Sequence, residues 1–250
     1  MTGGRREPRY ARWSGIEREL RRSGVLLIAG VDEVGRGSLA GPVVASAVIM
    51  PPGVPAIRGV DDSKRLTRKQ REKLCGRIRE RALAFGVGAA SVREIDTLNI
   101  FNASVLAMRR ALAKLALRPD HVLVDGRRLR SLGIEHTGVI DGDAKCFNVA
   151  CASIIAKVTR DRLMSRLAAR YPDFAWASNC GYGTADHVRG LTRSGATVHH
   201  RRLFVAAVEA RLRAGASLED AGEVMVPGVA AESTFAPSHV PVESVDCTQV

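Results

Sequence analysis

One segment carries the strongest structural signal in this sequence: Val25-Leu26-Leu27-Ile28-Ala29-Gly30-Val31-Asp32-Glu33-Val34-Gly35-Arg36-Gly37. Its apolar first half predicts a buried β-strand, and Asp32 and Glu33 fall at the end of that strand. The Gly35-Arg36-Gly37 turn can bring backbone N–H groups and a guanidinium close to a ligand. Adjacent acids beside a turn suited to phosphate indicate metal-dependent chemistry on a polyanion.

The charge of the chain indicates the same kind of ligand. A net charge of +12 over 250 residues favours nucleic acid or another polyanion as partner. Residues 214–250 hold six acidic and no basic residues, so residues 1–213 carry +18. Five scattered cysteines without a C-x-x-C pair argue against zinc or a disulfide framework. Since neither a signal peptide nor a membrane span is present, we expect a soluble, cytoplasmic protein with no membrane partner.

The order of predicted elements indicates an α/β domain with a mixed sheet. We predict strands at 25–32, 43–49, 85–92, 121–124 and 137–140, and helices at 67–84, 102–117, 149–169, 184–194 and 201–213. These elements divide the chain into a basic N-terminal arm (1–23), a main domain with C-terminal helices (24–213) and an acidic tail (214–250) expected to be disordered. The arm is either solvated surface or an auxiliary phosphate contact.

Two further acids follow predicted strands. Asp125 ends Val122-Leu123-Val124-Asp125, and Asp143 lies in Ile140-Asp141-Gly142-Asp143. Ligands collect at the carboxyl ends of strands, so the acids converge if these strands are neighbours. Close carboxylates repel each other unless cations neutralise them, and oxygen ligands suit Mg²⁺ or Mn²⁺. Two such ions about 3.5–4 Å apart can activate a water and stabilise the leaving oxygen of a phosphodiester.

Each acid also has a simpler interpretation. An aspartate beside glycine, as at Asp125 and Asp143, is most often a turn residue. Side chains alternate along a strand, so Asp32 and Glu33 would point to opposite faces of a regular strand. A bend at Val34-Gly35 would then be needed to bring both to one site.

Taken together, these residues resemble a known family, the type 2 ribonucleases H, and specifically bacterial ribonuclease HII. Five blocks match in order over roughly residues 25–205: Asp32-Glu33-Val34-Gly35-Arg36-Gly37 with Leu39 to Val43, Asp62-Ser63-Lys64, Val124-Asp125-Gly126, Gly142-Asp143 with Ala152 to Asp161, and Gly181-Tyr182-Gly183-Thr184 with His187 and His200-Arg201. One block alone is weak, whereas five at compatible spacing are highly specific.

The resemblance implies a ribonuclease H-like fold, with a five-stranded mixed sheet flanked by helices. It implies endonucleolytic cleavage of the RNA strand of RNA–DNA hybrids and incision 5′ to ribonucleotides embedded in duplex DNA, with 3′-hydroxyl and 5′-phosphate products. Asp32, Glu33, Asp125 and Asp143 match the catalytic, metal-binding positions, for Mn²⁺ or Mg²⁺, with two ions when substrate is bound. No obligate protein partner is implied, and we expect a monomer.

The resemblance also implies a substrate-binding set. The Gly35-Arg36-Gly37 turn would recognise the ribose 2′-hydroxyl through backbone groups, since that hydroxyl distinguishes RNA from DNA. Tyr182 would stack on the sugar of the next, deoxy nucleotide. Ser63 and Lys64 would contact phosphates. Without the flanking motifs, Tyr182 would be interpreted as a packing aromatic, and the Ser63-Lys64 pair as solvated surface.

Rival functions remain open at this point. A catalytically silent nucleic-acid-binding protein would explain the positive charge, but it would gain nothing from four acids that repel phosphate. Another ribonuclease H-like enzyme, such as a hybrid-only ribonuclease, would not need the glycine turn together with Tyr182. For Asp161 we favour a structural role, for example orienting Arg160 or another partner on its helix face, and for His187, His199 and His200 a role in holding the C-terminal helices together.

Overall fold

A computed structural model describes Trp13, residues 15–53 and residues 55–223. Its strands are β1 (Ile28–Val34), β2 (Val43–Ile49), β3 (Ala84–Ala90), β4 (His121–Asp125) and β5 (Thr137–Val139). A single sheet contains all of them, in the order β3-β2-β1-β4-β5. Strand β2 is antiparallel to β1 and β3, whereas β1, β4 and β5 run parallel. The mixed five-stranded sheet expected from the sequence is therefore confirmed.

Helices cover both faces of this sheet and extend beyond it. They are α1 (Gly15–Arg22), α2 (Arg68–Arg81), α3 (Val92–Ala113), α4 (Gly142–Lys145), α5 (Phe147–Arg170), α6 (Trp176–Asn179), α7 (Ala185–Ser194), α8 (Arg202–Arg213) and α9 (Leu218–Gly222). Helix α5 lies against the backbone of Gly30, where a Cβ would overlap Asn148, and α3 lies against Gly88, where a Cβ would overlap the Ala107 carbonyl. The sheet is therefore the middle layer between α5 and α3. No helix in the described ranges is long and apolar enough to cross a membrane.

The register of the central strand sets the position of the acids. Val31 in β1 pairs with Val124 in the parallel strand β4. The next residues along, Asp32 and Asp125, are therefore level with each other on strands that lie about 4.8 Å apart. Because the neighbours are parallel, both carboxyl ends meet at the same edge of the sheet.

Helix boundaries follow capping chemistry. Thr67 caps α2 as predicted, and its side chain and that of Gln70 form a reciprocal capping box. Helix α3 begins at Val92, ten residues before the predicted start at Asn102, because Ser91 and Glu94 form a second capping box. A left-handed residue, Asn99 (φ 68°), interrupts this helix and breaks the apolar periodicity on which the sequence prediction depended.

Both predicted terminal segments are packed where the structure describes them. Glu17 of α1 is buried, and its carboxylate accepts from the backbone N–H (2.8 Å) and the side-chain amide (3.0 Å) of Asn148. The prediction of disorder from residue 214 is wrong for residues 214–223, since α9 packs with Gly222 against the backbone of Gly183. The predictions for residues 1–12 and 224–250 concern residues outside the described ranges.

Candidate active site

The structure brings the four predicted acids to one edge of the sheet. Asp32 and Glu33 lie near the end of β1, Asp125 is the last residue of β4, and Asp143 lies in α4 just after β5. The backbone N–H of Gly142 donates to the Asp125 carboxylate at 2.7 Å. This bond fixes the start of α4 against the end of β4, and so places Asp143 beside the other three.

Asp32 and Glu33 reach this edge without a bend in the strand. Strand β1 stays regular to Val34, and the turn begins only at Gly35, which has φ +92°. Ile28 packs in the cluster with Val149 of α5, whereas Ala29 and Val31 pack in the cluster around α3. By alternation Asp32 lies on the α5 face and Glu33 on the α3 face. The bend expected at Val34-Gly35 is therefore not needed, because both carboxylates still interact electrostatically with Asp125 across the sheet edge.

Burial and mutual repulsion disfavour ionisation of these carboxyls. Burial, followed by the charges of Glu33 and Asp125, raises the pKa of Asp32 well above its usual value. Burial likewise raises the pKa of Glu33. Burial and the charges of Asp125 and Asp62 raise the pKa of Asp143 to about 6. The ionised forms of such close, desolvated carboxyls are stable only with positive charge nearby.

Nearby cationic side chains supply only part of this positive charge. Arg36 donates to Glu33 Oε1 at 3.1 Å, but Glu33 Oε2 is buried and has no hydrogen-bond partner among the residues that the structure describes. Lys64 Nζ lies 4.0 Å from Asp143 Oδ2 and is highly exposed. No group of three or more His, Cys, Asp or Glu side chains in the described part of the chain is already arranged around a metal position. The orphaned Glu33 oxygen and the clustered acids nevertheless fit a hard, oxygen-binding cation.

The residues of the predicted phosphate-contact pair, Ser63 and Lys64, differ in their surroundings. Lys64 is exposed beside Asp143, as a phosphate contact requires. Ser63 is buried, and its hydroxyl lies 2.9 Å from that of Ser153, whose side chain interacts with the Asp32 carboxyl. Ser63 is therefore linked through Ser153 to one of the candidate metal-binding acids. Sequence reasoning missed Ser153, which is an ordinary helix residue by pattern.

Asp161 holds this loop in place from below. Its carboxylate pairs with Lys157 (2.8 Å) and with Arg71 (3.5 Å), and Arg71 donates to the carbonyls of Ser63 (2.9 Å) and Leu66 (2.5 Å). The structural role expected for Asp161 is present, but its partners are Lys157 and Arg71, and Arg160 is directed elsewhere.

Tyr182 lies next to the glycine turn, as the substrate-binding interpretation requires. The N–H of Leu39 donates to the carbonyl of Gly181 at 2.8 Å, which ties the two loops together. The half-buried Tyr182 ring lies over Arg160 and Lys157, with centroid distances of 5.5 and 5.7 Å. The segment that follows the glycine turn is thus joined to the loop that carries the aromatic residue, although the two are far apart in sequence.

Two buried histidines stabilise the Tyr182 loop. His187 Nδ1 donates to the Tyr182 carbonyl at 2.9 Å, while its Nε2 accepts from Trp176 at 3.0 Å and lies 3.0 Å from His200 Nε2. Burial lowers the pKa of His187 to about 4, and burial with the neighbouring histidines lowers the pKa of His200 to about 3. Both are neutral at physiological pH and, as expected, join the C-terminal helices.

Comparison with known proteins agrees with this architecture. A family model described as ribonuclease HII matches residues 29–207. A ribonuclease HII of Paraburkholderia xenovorans is 48% identical over 80% of this chain and 81% of its own length. A ribonuclease HII of Moorella thermoacetica is 52% identical over 75% of this chain and 91% of its own length. The crystal structure of ribonuclease H2 from Pyrococcus horikoshii OT3 superposes with a TM-score of 0.62 at 28% identity, covering 75% of this chain and 98% of that one.

The match spans the sheet, the four acids, the glycine turn and the Tyr182 loop. It sets aside the silent nucleic-acid-binding protein, since the relatives are ribonucleases. The chain therefore belongs to the ribonuclease HII family and is a ribonuclease H.

Proposed function

We propose that this enzyme cleaves the RNA strand of RNA–DNA hybrids with divalent cations held by Asp32, Glu33, Asp125 and Asp143. We further propose that it incises 5′ to single ribonucleotides embedded in duplex DNA. The observation that carries the proposal is the concentration of buried carboxyls with raised pKa at the edge where β1 and β4 end. A protein with a net charge of +18 over its first 213 residues has no other need for uncompensated acids at a surface suited to phosphate.

The donor set determines which cation fits. All four candidate ligands are carboxylates, and the buried Glu33 Oε2 has no competing hydrogen-bond partner within the described ranges. Such ligands favour Mg²⁺ or Mn²⁺ over softer metals. When bound, divalent cations supply charge neutralisation on the phosphate and raise the acidity of water.

The remaining residues of the site bind and orient the substrate. Lys64, exposed beside Asp143, is placed to contact a phosphate that approaches the acids. The turn at Gly35 to Gly37 offers backbone groups to the ribose 2′-hydroxyl, and Tyr182 offers its ring to the sugar on the 3′ side of the ribonucleotide. Arg36 keeps one oxygen of Glu33 occupied and so orients that carboxylate. A water molecule is the nucleophile, so the products carry 3′-hydroxyl and 5′-phosphate ends.

The test uses a DNA duplex with one embedded ribonucleotide, the same duplex without it, and an RNA–DNA hybrid. With Mn²⁺ or Mg²⁺ we expect one nick, 5′ to the ribonucleotide, together with cleavage of the hybrid and none of the all-DNA duplex. Products should carry a 3′-hydroxyl that a polymerase extends. Cleavage of the hybrid alone would remove the role of the turn and Tyr182 while leaving the carboxylate site in place. Activity that persists in chelator would contradict the metal-dependent proposal.

A further inference from the structure

Among the residues that the structure describes, two arginines are buried without an acidic partner. Arg160 of α5 and Arg201, the residue before α8, are each 0% exposed. Neither forms an ion pair with any described residue. Burial lowers the pKa of Arg201 to about 9, and burial also lowers the pKa of Arg160. Burying a charge without a partner is energetically unfavourable, so other groups must stabilise each guanidinium. Those groups identify the segments that each arginine holds in place.

Arg160 is compensated by backbone carbonyls from two separate loops. Its Nε donates to Pro42 O (2.9 Å), its Nη2 to Ala40 O (3.0 Å) and its Nη1 to Cys180 O (2.8 Å). Its guanidinium also lies 5.5 Å from the centroid of the Tyr182 ring. One rigid side chain thus connects the end of the glycine turn to the loop that carries the aromatic residue.

Arg201 is compensated by carbonyls of the turn itself. It donates to Gly35 O (2.6 Å), Arg36 O (2.7 Å) and Gly41 O (2.9 and 3.1 Å). Its own backbone N–H donates to Leu39 O at 2.9 Å. Together the two arginines bind carbonyls along the whole segment from Gly35 to Pro42.

These bonds determine which side of the turn is left for a ligand. In a trans peptide the N–H points opposite to the C=O, and the described residues contain no cis peptide. With the carbonyls of Gly35 and Arg36 directed at Arg201, the N–H groups of Arg36 and Gly37 point away from the protein interior. Neither N–H donates a hydrogen bond to any residue that the structure describes. The space beside the Gly37 Cα is empty, since a Cβ built there would meet no described atom within 4 Å.

We propose that Arg160 and Arg201 are positioning residues for substrate selection, which turn the N–H groups of the glycine turn outward and lock that turn at a fixed distance from Tyr182. Arg201 fixes the direction of the N–H groups that bind the 2′-hydroxyl, and Arg160 fixes the distance between the glycine turn and the Tyr182 ring. The inference rests on the proposed function, because it assumes that a ribose 2′-hydroxyl binds at this turn. The distance between the two loops is then fixed, so that a ribonucleotide at the turn and the deoxynucleotide that follows it at Tyr182 can be bound together.

The fork of the guanidinium explains why arginine is used here. It presents donors in fixed, diverging directions, whereas lysine concentrates its donors on one nitrogen. A lysine at position 160 keeps the charge, but it cannot reach Pro42, Ala40 and Cys180 at the same time. The Lys variants therefore separate geometry from charge, and Arg109→Lys is a matched control because Arg109 donates to a single backbone carbonyl, Leu132 O, in a different loop.

The experiment measures steady-state cleavage of the single-ribonucleotide duplex and of an RNA–DNA hybrid by wild type, Arg160→Lys, Arg201→Lys and Arg109→Lys. We expect Arg160→Lys to lower kcat on the single-ribonucleotide duplex about tenfold more than on the hybrid, since small misplacements of reacting groups have large effects on rate. Arg201→Lys should lower kcat on both substrates with KM nearly unchanged, because the phosphate contacts remain. Arg109→Lys should keep the wild-type ratio. An unchanged ratio in a folded Arg160→Lys protein, together with an unchanged kcat in Arg201→Lys, overturns the proposal.

Hydrogen exchange provides a readout that does not depend on cleavage. The N–H groups of Leu39 and Ala40 donate to Gly181 O at 2.8 and 3.2 Å and report on the joint between the two loops. We expect these amides to exchange faster in both Lys variants than in Arg109→Lys, while the amides of α2 stay unchanged. If the wild-type enzyme cleaves neither substrate, the proposed function fails, but the exchange rates still test whether the two arginines hold the loops together. Unchanged exchange at Leu39 and Ala40 in both Lys variants overturns the positioning role of the two arginines, whatever the cleavage activity.

Discussion

The guanidinium of Arg160 occupies the space where a Cβ on Gly35 would lie. Gly35 also has φ +92°, a conformation that residues with a side chain rarely adopt. We therefore expect Gly35→Ala to destabilise the fold by about 2–4 kcal/mol, from backbone strain and overpacking combined. Urea denaturation measures this loss.

Gly37→Ala is the matched comparison, because no described atom lies within 4 Å of its added Cβ. Its stability should stay within about 0.5 kcal/mol of wild type, while its cleavage activity falls, since the new methyl group meets the substrate. Equal stability losses in the two variants would contradict the close contact between Gly35 and Arg160.

Asp32→Asn should stabilise the cation-free protein while abolishing cleavage. The raised pKa of Asp32 means that its ionised form is disfavoured in the folded state, and asparagine removes that charge while its side-chain oxygen can still accept from the Glu33 N–H. We therefore expect the free energy of unfolding in chelator to be higher for Asp32→Asn than for wild type. Adding Mn²⁺ should raise the melting temperature of wild type and leave that of Asp32→Asn almost unchanged.

Asp141→Asn provides the control for that experiment. Asp141 lies two residues before Asp143, but its side chain is 75% exposed and pairs only with Lys145 at 3.9 Å. Asparagine tolerates its left-handed backbone conformation. A melting response to Mn²⁺ like that of wild type is expected, and an equal response in Asp32→Asn would argue against Asp32 as a ligand.

Lys64→Ala should weaken substrate binding without affecting the fold. The Lys64 side chain is 82% exposed and 4.0 Å from Asp143, so the ion pair contributes at most about 1 kcal/mol to stability. We expect KM to rise about tenfold, and the slope of log affinity against log salt to decrease by roughly one. Lys69→Ala, at an exposed position in α2, is the comparison. A fall in kcat with unchanged KM would be evidence against a phosphate contact.

The two buried histidines predict loss of stability in mild acid. Their folded-state pKa values of about 4 and 3 lie below the usual value of 6.5, so the unfolded chain binds more protons between these limits. Stability from this source is complete above about pH 6.5 and is lost as pH falls toward 3. Between pH 7.5 and 5 the loss from His200 alone is about 2 kcal/mol. Urea midpoints of wild type and His200→Asn at both values measure it, and an equal pH dependence in the two proteins would contradict the prediction.

Local chemistry made much of this fold and site predictable. Thr67 caps its helix as any threonine three residues before glutamine can. Asp32 lies near the end of β1 and Asp125 is the last residue of β4, and the apolar runs of both strands are plain in the sequence. The start of α3 was missed although Ser91 and Glu94 have the capping-box spacing, because the left-handed Asn99 breaks the periodicity of the following turn.

Other features depend on contacts that no local pattern encodes. Glu17 is buried only because Asn148, 131 residues away, supplies two donors. Arg160 and Arg201 are residue types almost never buried without an acidic partner, so composition argues against their actual positions. Their role depends on carbonyls whose direction only the folded turn determines.

The decisive experiment measures incision of the single-ribonucleotide duplex, with saturating Mn²⁺, by Asp32→Asn, Glu33→Gln, Asp125→Asn and Asp143→Asn. Asp141→Asn is measured beside them for comparison. If the four acids together hold the cations, each of the first four variants should lose activity by roughly a thousandfold or more, while Asp141→Asn cleaves like wild type. Near-wild-type incision by any folded member of the four would contradict the assignment of that residue to the site.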